Sequence, residues 1–556
     1  MIRQITLKFG RAPGCPPETL QATPVIVFVG PNYSGKSKAL AEINRYCSSG
    51  HKDWSDVIVD EVTFKGLTSN GARHAINSLL LKPNPGEAQQ PDRIIIGNRG
   101  RRSEVSEQTL LQVLQNPDSA RELFCDWYLR LNTLILDGRG RIDLVGGQGG
   151  GDLQQPPHSS LQVLFRDDTK RAAVRRIIHD AFSFHFVIDP TGLGSIRIRL
   201  SEVAPESAIQ ERGIHEEAVR FHSAARPIEE ASDGVKAFTG IITEVIGGDP
   251  SILLIDEPEA FLHPSLAFKL GKEVALATSG SEKRLLVATH SPNFVMGCIQ
   301  SGAPVTIVRL TYRGNVATAR VLPNNDILKL MRNPLLRSTN VLSGLFYEFV
   351  VVTESDADRA FYQEINERLL RFKPEWGIPN CLFINAQNKQ TVQTIVRPLR
   401  ELGIPAVGIV DIDALKEGGI VWTGLLSSAF IPGMSHQSLS DLRSAVKKKL
   451  EASGRNMKRD GGIELLQGPD KEAANNLLDQ LCEYGIFVVR KGELESWQRQ
   501  LGATGHGPYW LVEAFEKMGE DPEAPNYLKP GDNDVWLFMR EIKEWLTDPN
   551  RKGIPA

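Results

Sequence analysis

Short apolar runs alternate with amphipathic stretches along most of the chain, the pattern of strands buried on both faces between helices. IRQITLKF (2–9), a Pro/Gly-rich turn and PVIVFVG (24–30) read as strand, turn, strand. LILDGRGRIDLV (134–145) predicts a hairpin turning near Asp137-Gly138. DTKRAAVRRIIHDAF (168–182) has helical periodicity, and SILLIDEP (251–258) and RLLVATHS (284–291) read as strands. A helical connector covers 325–345, and a βαβαβ run starts at FYEFVVVTE (346–354). It continues through CLFINA (381–386), QTVQTIVRPLREL (390–402) and VGIVDIDAL (407–415), and a further strand, GIFVVRKGELESW (485–497), follows. The prediction is two α/β domains, 1–340 and 341–556, with a segment of about 51–220 inserted in the first and a helical extension ending the second. VGGQGGGDLQQPPHSS (145–160) reads as a low-complexity surface loop.

At 556 residues the chain exceeds what one core supports. The net charge of −3 excludes whole-chain attraction to nucleic acid and leaves only local basic segments: Arg99, Arg101 and Arg102, the pair Arg175-Arg176, and Lys447 to Lys449. The six cysteines lie far apart with no CxxC pair, which argues against zinc or a disulfide framework and suits a reducing compartment. No apolar run approaches the about 20 residues of a membrane span, and Met1-Ile2-Arg3 begins no signal peptide. A cytoplasmic location without membrane partners is expected.

Gly30-Pro31-Asn32-Tyr33-Ser34-Gly35-Lys36-Ser37 is a complete GxxxxGK[ST] motif between an apolar strand and a helix. Its backbone N–H groups would cradle phosphates, with Asn32 and Ser34 in the loop, Lys36 neutralising the β/γ charge of ATP and Ser37 holding Mg²⁺. A later apolar strand ends in Asp256-Glu257, which suit a Mg²⁺ ligand and the base that orients the attacking water. His290, ending the next strand, stands where a γ-phosphate sensor belongs. Ser232-Asp233-Gly234 opens another helix with an N-terminus suited to an anion. In this order the motifs resemble the ATP-binding-cassette (ABC) ATPases, with Ser232 and Gly234 in the signature. The resemblance implies a dimer, or a higher homo-oligomer, closing head to tail on two nucleotides. The family's Q-loop glutamine stays open among Gln148, Gln154 and Gln162.

In the second half, acids gather where strands end. Glu354 follows one strand, with Asp356 and Asp358 in the next helical turn, and Asp411-Ile412-Asp413 ends another. In a parallel sheet these meet at the ligand-binding end. Hard oxygen donors without Cys or His favour Mg²⁺ or Mn²⁺. Glu-x-x-x-Asp followed by Asp-x-Asp resembles the Toprim domain of topoisomerases, primases and related nucleases, although Ser355 stands where a glycine often follows the glutamate. Metal ligands are then Glu354, Asp358, Asp411 and Asp413, with Glu495 as an extra ligand and Lys491 as a transition-state cation.

A cassette ATPase followed by a Toprim domain resembles the OLD (overcoming lysogenization defect) family of nucleases. The implied fold is α/β: an N-terminal ABC-type P-loop ATPase domain and a C-terminal Toprim-like parallel domain. The implied activity is ATP-regulated, metal-dependent cleavage of DNA in bacterial anti-phage defence, as in Gabija-type and retron-associated nucleases, beside a defence-system partner protein. Two alternatives stay open: an ATP-gated sensor or scaffold with a weakly active Toprim domain, and an RNA-directed (tRNA) nuclease.

Overall fold

A computed structural model describes residues 1–83, 90–98, 101–137, 140–154, 157–248, 250–280 and 282–555. It divides into two compact units, Met1–Asn324 and Asn325–Ala556. The divide precedes the expected boundary at 340. The reason is that Leu336, Val341, Leu342 and Leu345 of the connector are buried, and the turn Val341–Phe346 packs on the helix Lys389–Glu401 of the second unit.

The first unit is built on a six-stranded sheet in the order Val316–Leu322, Val305–Arg313, Val25–Val29, Arg284–Ala288, Ile252–Asp256, Thr133–Leu136. All neighbours are parallel except the first pair. Every residue of Val25–Val29 is buried, as a central parallel strand requires. Phe28 lies opposite Ala288, and Ala288 opposite Asp256, so three strand ends emerge side by side. Two expectations change here. The segment 51–220 is no separate insertion: Val59–Phe64 pairs with Ile2–Leu7, and Thr133–Leu136 completes the main sheet. The hairpin expected near Asp137 is absent among the described residues. Thr133–Leu136 takes its hydrogen bonds from Ile252–Asp256, and Gly140–Asp143 coils into a helical turn. Gly138 and Arg99 lie outside the described residues.

Two helices follow the strands that carry Asp256 and His290: Pro264–Thr278 and Pro292–Gln300. They touch backbone to backbone. A Cβ on Gly271 would lie 2.3 Å from the Phe294 carbonyl oxygen, and one on Gly297 2.0 Å from that of Phe268.

The second unit has a four-stranded parallel sheet ordered Cys381–Asn385, Phe349–Thr353, Ala406–Asp411, Ile486–Val489. Alternate residues face opposite layers. Phe349, Val351, Val407, Ile409, Phe487 and Val489 join one core with Phe361, Ile365 and Leu369 of the helix Asp356–Phe372. The C-terminal helices Pro508–Met518 and Asp534–Thr547 complete that core through Trp510, Trp536 and Phe538. The opposite layer holds the helix Lys389–Glu401, with Val392, Ile395, Val396 and Leu399 buried. From it the fully buried Arg400 donates to the carbonyls of Ala406, Ala429, Tyr484, Gly485 and Gly553. Among the described residues no helix is long and apolar enough to cross a membrane.

Candidate functional site

The loop after Val25–Val29 and the start of the helix Lys36–Ser49 border a cleft of about 380 Å³. It is lined by Asn32, Tyr33, Gly35, Lys36, Ser37, Lys38, Glu257 and His290. Lys36 is 5% exposed, and its Nζ donates to the carbonyls of Gly30 (2.9 Å) and Pro31 (2.7 Å), with Ser34 Oγ at 3.4 Å. Burial pushes its pKa down to about 8, against the pull of Glu257 and Asp256. Ser37 Oγ donates to Asp256 Oδ1 at 2.9 Å, so hydroxyl and carboxylate from distant motifs meet at one point. That oxygen pair fits Mg²⁺ carried by a nucleotide. His290 Nε2 lies 3.9 Å from Glu257 Oε1.

Two residues here carried no signal in the motif reading. Glu259 accepts from Thr289 Oγ1 at 2.7 Å and from the His290 N–H at 2.6 Å, which fixes the start of the His290 turn. Arg141, fully buried, donates through Nε to the Asp137 carbonyl at 3.1 Å and through Nη1 to the carbonyl of Glu257. Glu257 itself has φ +50°, an uncommon conformation for a residue with a side chain. Ser232 precedes the helix Asp233–Thr243 in an exposed position without a side-chain capping bond, and neither it nor Gly234 lines the cleft. None of Gln148, Gln154 and Gln162 lines it either; Gln162 is buried on the Gly149 carbonyl.

In the second unit, carboxylate oxygens of Glu354, Asp411 and Asp413 lie within 4.8 Å of one another. The strands ending at Thr353 and Asp411 are neighbours, although they are not consecutive in the chain. This is the crevice where strand order reverses, the ligand-binding position of open parallel sheets. Glu354 Oε1 accepts the Asp411 N–H at 2.9 Å. Burial, then the charge of Asp411, raises the Glu354 pKa; burial, then Asp358, raises that of Asp411. Asp413 Oδ1 is buried without a hydrogen-bond partner. Three oxygen donors held this close together, two of them with burial opposing their charged form, fit a hard divalent cation such as Mg²⁺ or Mn²⁺.

The remaining expected ligands border the triad with partners of their own. Asp358 forms a reciprocal cap with Ser355, accepting its N–H at 2.9 Å and its hydroxyl at 2.6 Å. Serine in place of glycine therefore has a local structural use here. Glu495 Oε1 takes the Gly507 N–H at 2.7 Å and lies 2.5 Å from His506 Nδ1, forming a second group with Glu493. Lys491 stands apart, paired with Asp534 at 2.6 Å and resting over the Trp497 ring. The cation at the acids is Lys458, whose Nζ is 2.9 Å from Asp411 Oδ2. Its pKa is raised: burial acts against this, and Asp411 outweighs it. Lys389 pairs with Asp413 at 3.0 Å and Glu417 at 3.1 Å. Of the basic segments, Arg175 pairs with Glu211, Arg176 with Glu273, Lys447 with Glu451 and Lys449 with Asp470.

The family model described as "AAA domain, putative AbiEii toxin, Type IV TA system" matches residues 167–296. No curated protein matches the sequence. Among solved structures, the chain is similar to an Smc head bound to the C-winged helix domain of ScpA (12% identity, TM-score 0.32, 59% of this chain and 99% of that one). It is also similar to the SMC head domain from Thermotoga maritima (12% identity, TM-score 0.29, 58% of this chain and 99% of that one). The first unit is a P-loop ATPase domain.

Proposed function

We propose that the protein is an ATP-regulated, divalent-metal-dependent endonuclease of the OLD type that cuts DNA, with bacterial anti-phage defence as its setting. One observation carries the reading: a P-loop ATPase unit shares its chain with a triad, Glu354, Asp411 and Asp413, at the strand-order reversal of a parallel sheet. A divalent ion held there would lower the pKa of a water and neutralise phosphate charge. The chain's own part is to hold the three carboxylates in one place. The Glu354 bond to the Asp411 N–H locks two strand ends together, and the sheet beneath is closed to solvent. In the first unit, Lys36 would neutralise the nucleotide phosphates, Ser37 and Asp256 would share Mg²⁺, and Glu257 would orient water beside His290. The helix start at Ser232–Gly234, with Ser232 and Asp233 exposed and none of the three lining the chain's own cleft, supports a head-to-tail dimer in which it meets the partner's ATP.

Incubating the full chain with Mg²⁺ or Mn²⁺ and plasmid, single-stranded DNA or tRNA tests the reading, each with and without ATP. DNA cleavage lost in Asp411→Asn is the expected result. Cleavage unchanged in that variant overturns the site. Cleavage of tRNA alone assigns the activity to RNA, and ATP turnover without any cleavage assigns the chain to an ATP-gated scaffold.

A further inference from the structure

Lys458 reaches the acids from a turn that is built to hold it. The chain leaves the helix Gly433–Ala452 and turns through Asn456–Asp460, where Met457 is buried and the Lys458 N–H donates to Asn456 Oδ1 at 3.0 Å. The turn lies flat against the exit of the strand Ile486–Val489. A Cβ on Gly492 would sit 2.1 Å from the Lys458 carbonyl oxygen, and one on Gly462 2.0 Å from that of Arg490. Both glycines also have positive φ, +123° and +61°, so side chains are excluded twice over. The Gly492 carbonyl accepts the Ile412 N–H at 2.9 Å, and the Ile463 N–H donates to Arg490 at 2.9 Å. One glycine thus joins the Asp411–Asp413 turn to the turn carrying Lys458.

The ammonium so placed is 2.9 Å from Asp411 Oδ2 and 3.8 Å from Glu493 Oε2, an atom buried without a hydrogen-bond partner. It therefore bridges the triad and the group of Glu493, Glu495 and His506. Of the three triad carboxylates, Asp411 and Asp413 each have a lysine, while Glu354 is held by a backbone N–H. Lys389 divides its charge between Asp413 and Glu417 at similar distances. Lys458 is nearer to Asp411 than to Glu493, so the larger share of its attraction falls on a triad oxygen.

We propose that Lys458 is a resident counter-ion of the acid site, a positioning residue that competes with the divalent ion for Asp411 and sets the ion concentration at which the site fills. This rests on the metal-site reading above and deepens it into a form of regulation. A fixed ammonium keeps the carboxylates together at low ion concentration, and it opposes a second positive charge at the same oxygen.

The test is Mn²⁺ titration of the full chain by calorimetry, without nucleic acid, comparing wild type with Lys458→Met, Lys458→Gln, Lys458→Arg and Lys491→Met. Removal of the charge should tighten Mn²⁺ binding by on the order of tenfold, given a unit charge a few ångströms away. Lys458→Arg, which keeps the charge, and Lys491→Met, which alters a lysine held by Asp534, should stay near wild type. A merely structural lysine would give the opposite sign, because loosened ligands bind metal more weakly. Equal or weaker binding by both neutral variants, with melting profiles showing folded protein, overturns the proposal. If both neutral variants fail to fold, Lys458 is required for the fold rather than for tuning, and the proposal also falls. No Mn²⁺ binding by wild type overturns the acid site itself, a failure distinct from binding that the neutral variants leave unchanged.

Discussion

Glu354 and Asp411, 57 residues apart in the chain, are joined by a 2.9 Å hydrogen bond from the Asp411 N–H to Glu354 Oε1. The bond makes one carboxylate both a structural acceptor and a candidate ligand, and the two roles separate by substitution. Glu354→Gln keeps an acceptor oxygen, so the metal-free protein should melt close to wild type while Mn²⁺ binding is lost. Glu354→Ala leaves the amide without its acceptor and should cost about 1–3 kcal/mol in urea unfolding.

Arg141 holds the carbonyl of Glu257 from a fully buried position. A lysine cannot span the Asp137 and Glu257 carbonyls with the same planar fork. Arg141→Lys should lower the kcat of ATP hydrolysis by about tenfold or more through misplacement of Glu257, with ATP affinity nearly unchanged. Lys36→Ala should abolish ATP binding altogether. Steady-state turnover and equilibrium nucleotide binding distinguish the two.

Arg400 donates to five carbonyls and lies 4.8 Å from the centre of the Trp545 ring. Arg400→Met would remove a donor from all five carbonyls in the interior, of which that of Gly485 keeps the Gly408 N–H at 3.1 Å. A loss of about 3–5 kcal/mol is expected, read from urea unfolding of the full chain by tryptophan fluorescence.

Asp189 is buried, which alone would raise its pKa, but bonds from Thr191 and Arg199 outweigh burial and hold it at about 2. Its pKa is lowered on folding, so its contribution is complete above the ordinary carboxylate value near pH 4. That contribution fades as pH falls toward 2. Asp189→Asn should therefore be less stable than wild type by about 2 kcal/mol at neutral pH, the gap closing between pH 4 and 2. Urea midpoints across that range measure it.

The local motifs were the legible part of this chain. The P-loop, Asp256-Glu257 and the Asp411–Asp413 pair each follow an apolar run, and strand ends in a parallel sheet leave little freedom in where such residues go. What could not be read was the direction of long side chains and the arrival of distant turns. Lys491 sits beside Glu493 in sequence yet turns to Asp534, and Lys458 comes to Asp411 through contacts between glycine and backbone that no spacing rule encodes. Thr133–Leu136 looks like half of a hairpin because an apolar segment follows it directly, whereas its true partner strand lies more than a hundred residues onward.

The contacts at Gly271 and Gly297 tie the segment after Glu257 to the segment after His290 without side chains between them. Side chains can repack and absorb a small shift; two backbones in contact cannot. The two helices therefore form one lever, and a shift at the start of either must carry the other along. A side chain on either glycine would wedge that lever apart while leaving every residue lining the cleft intact.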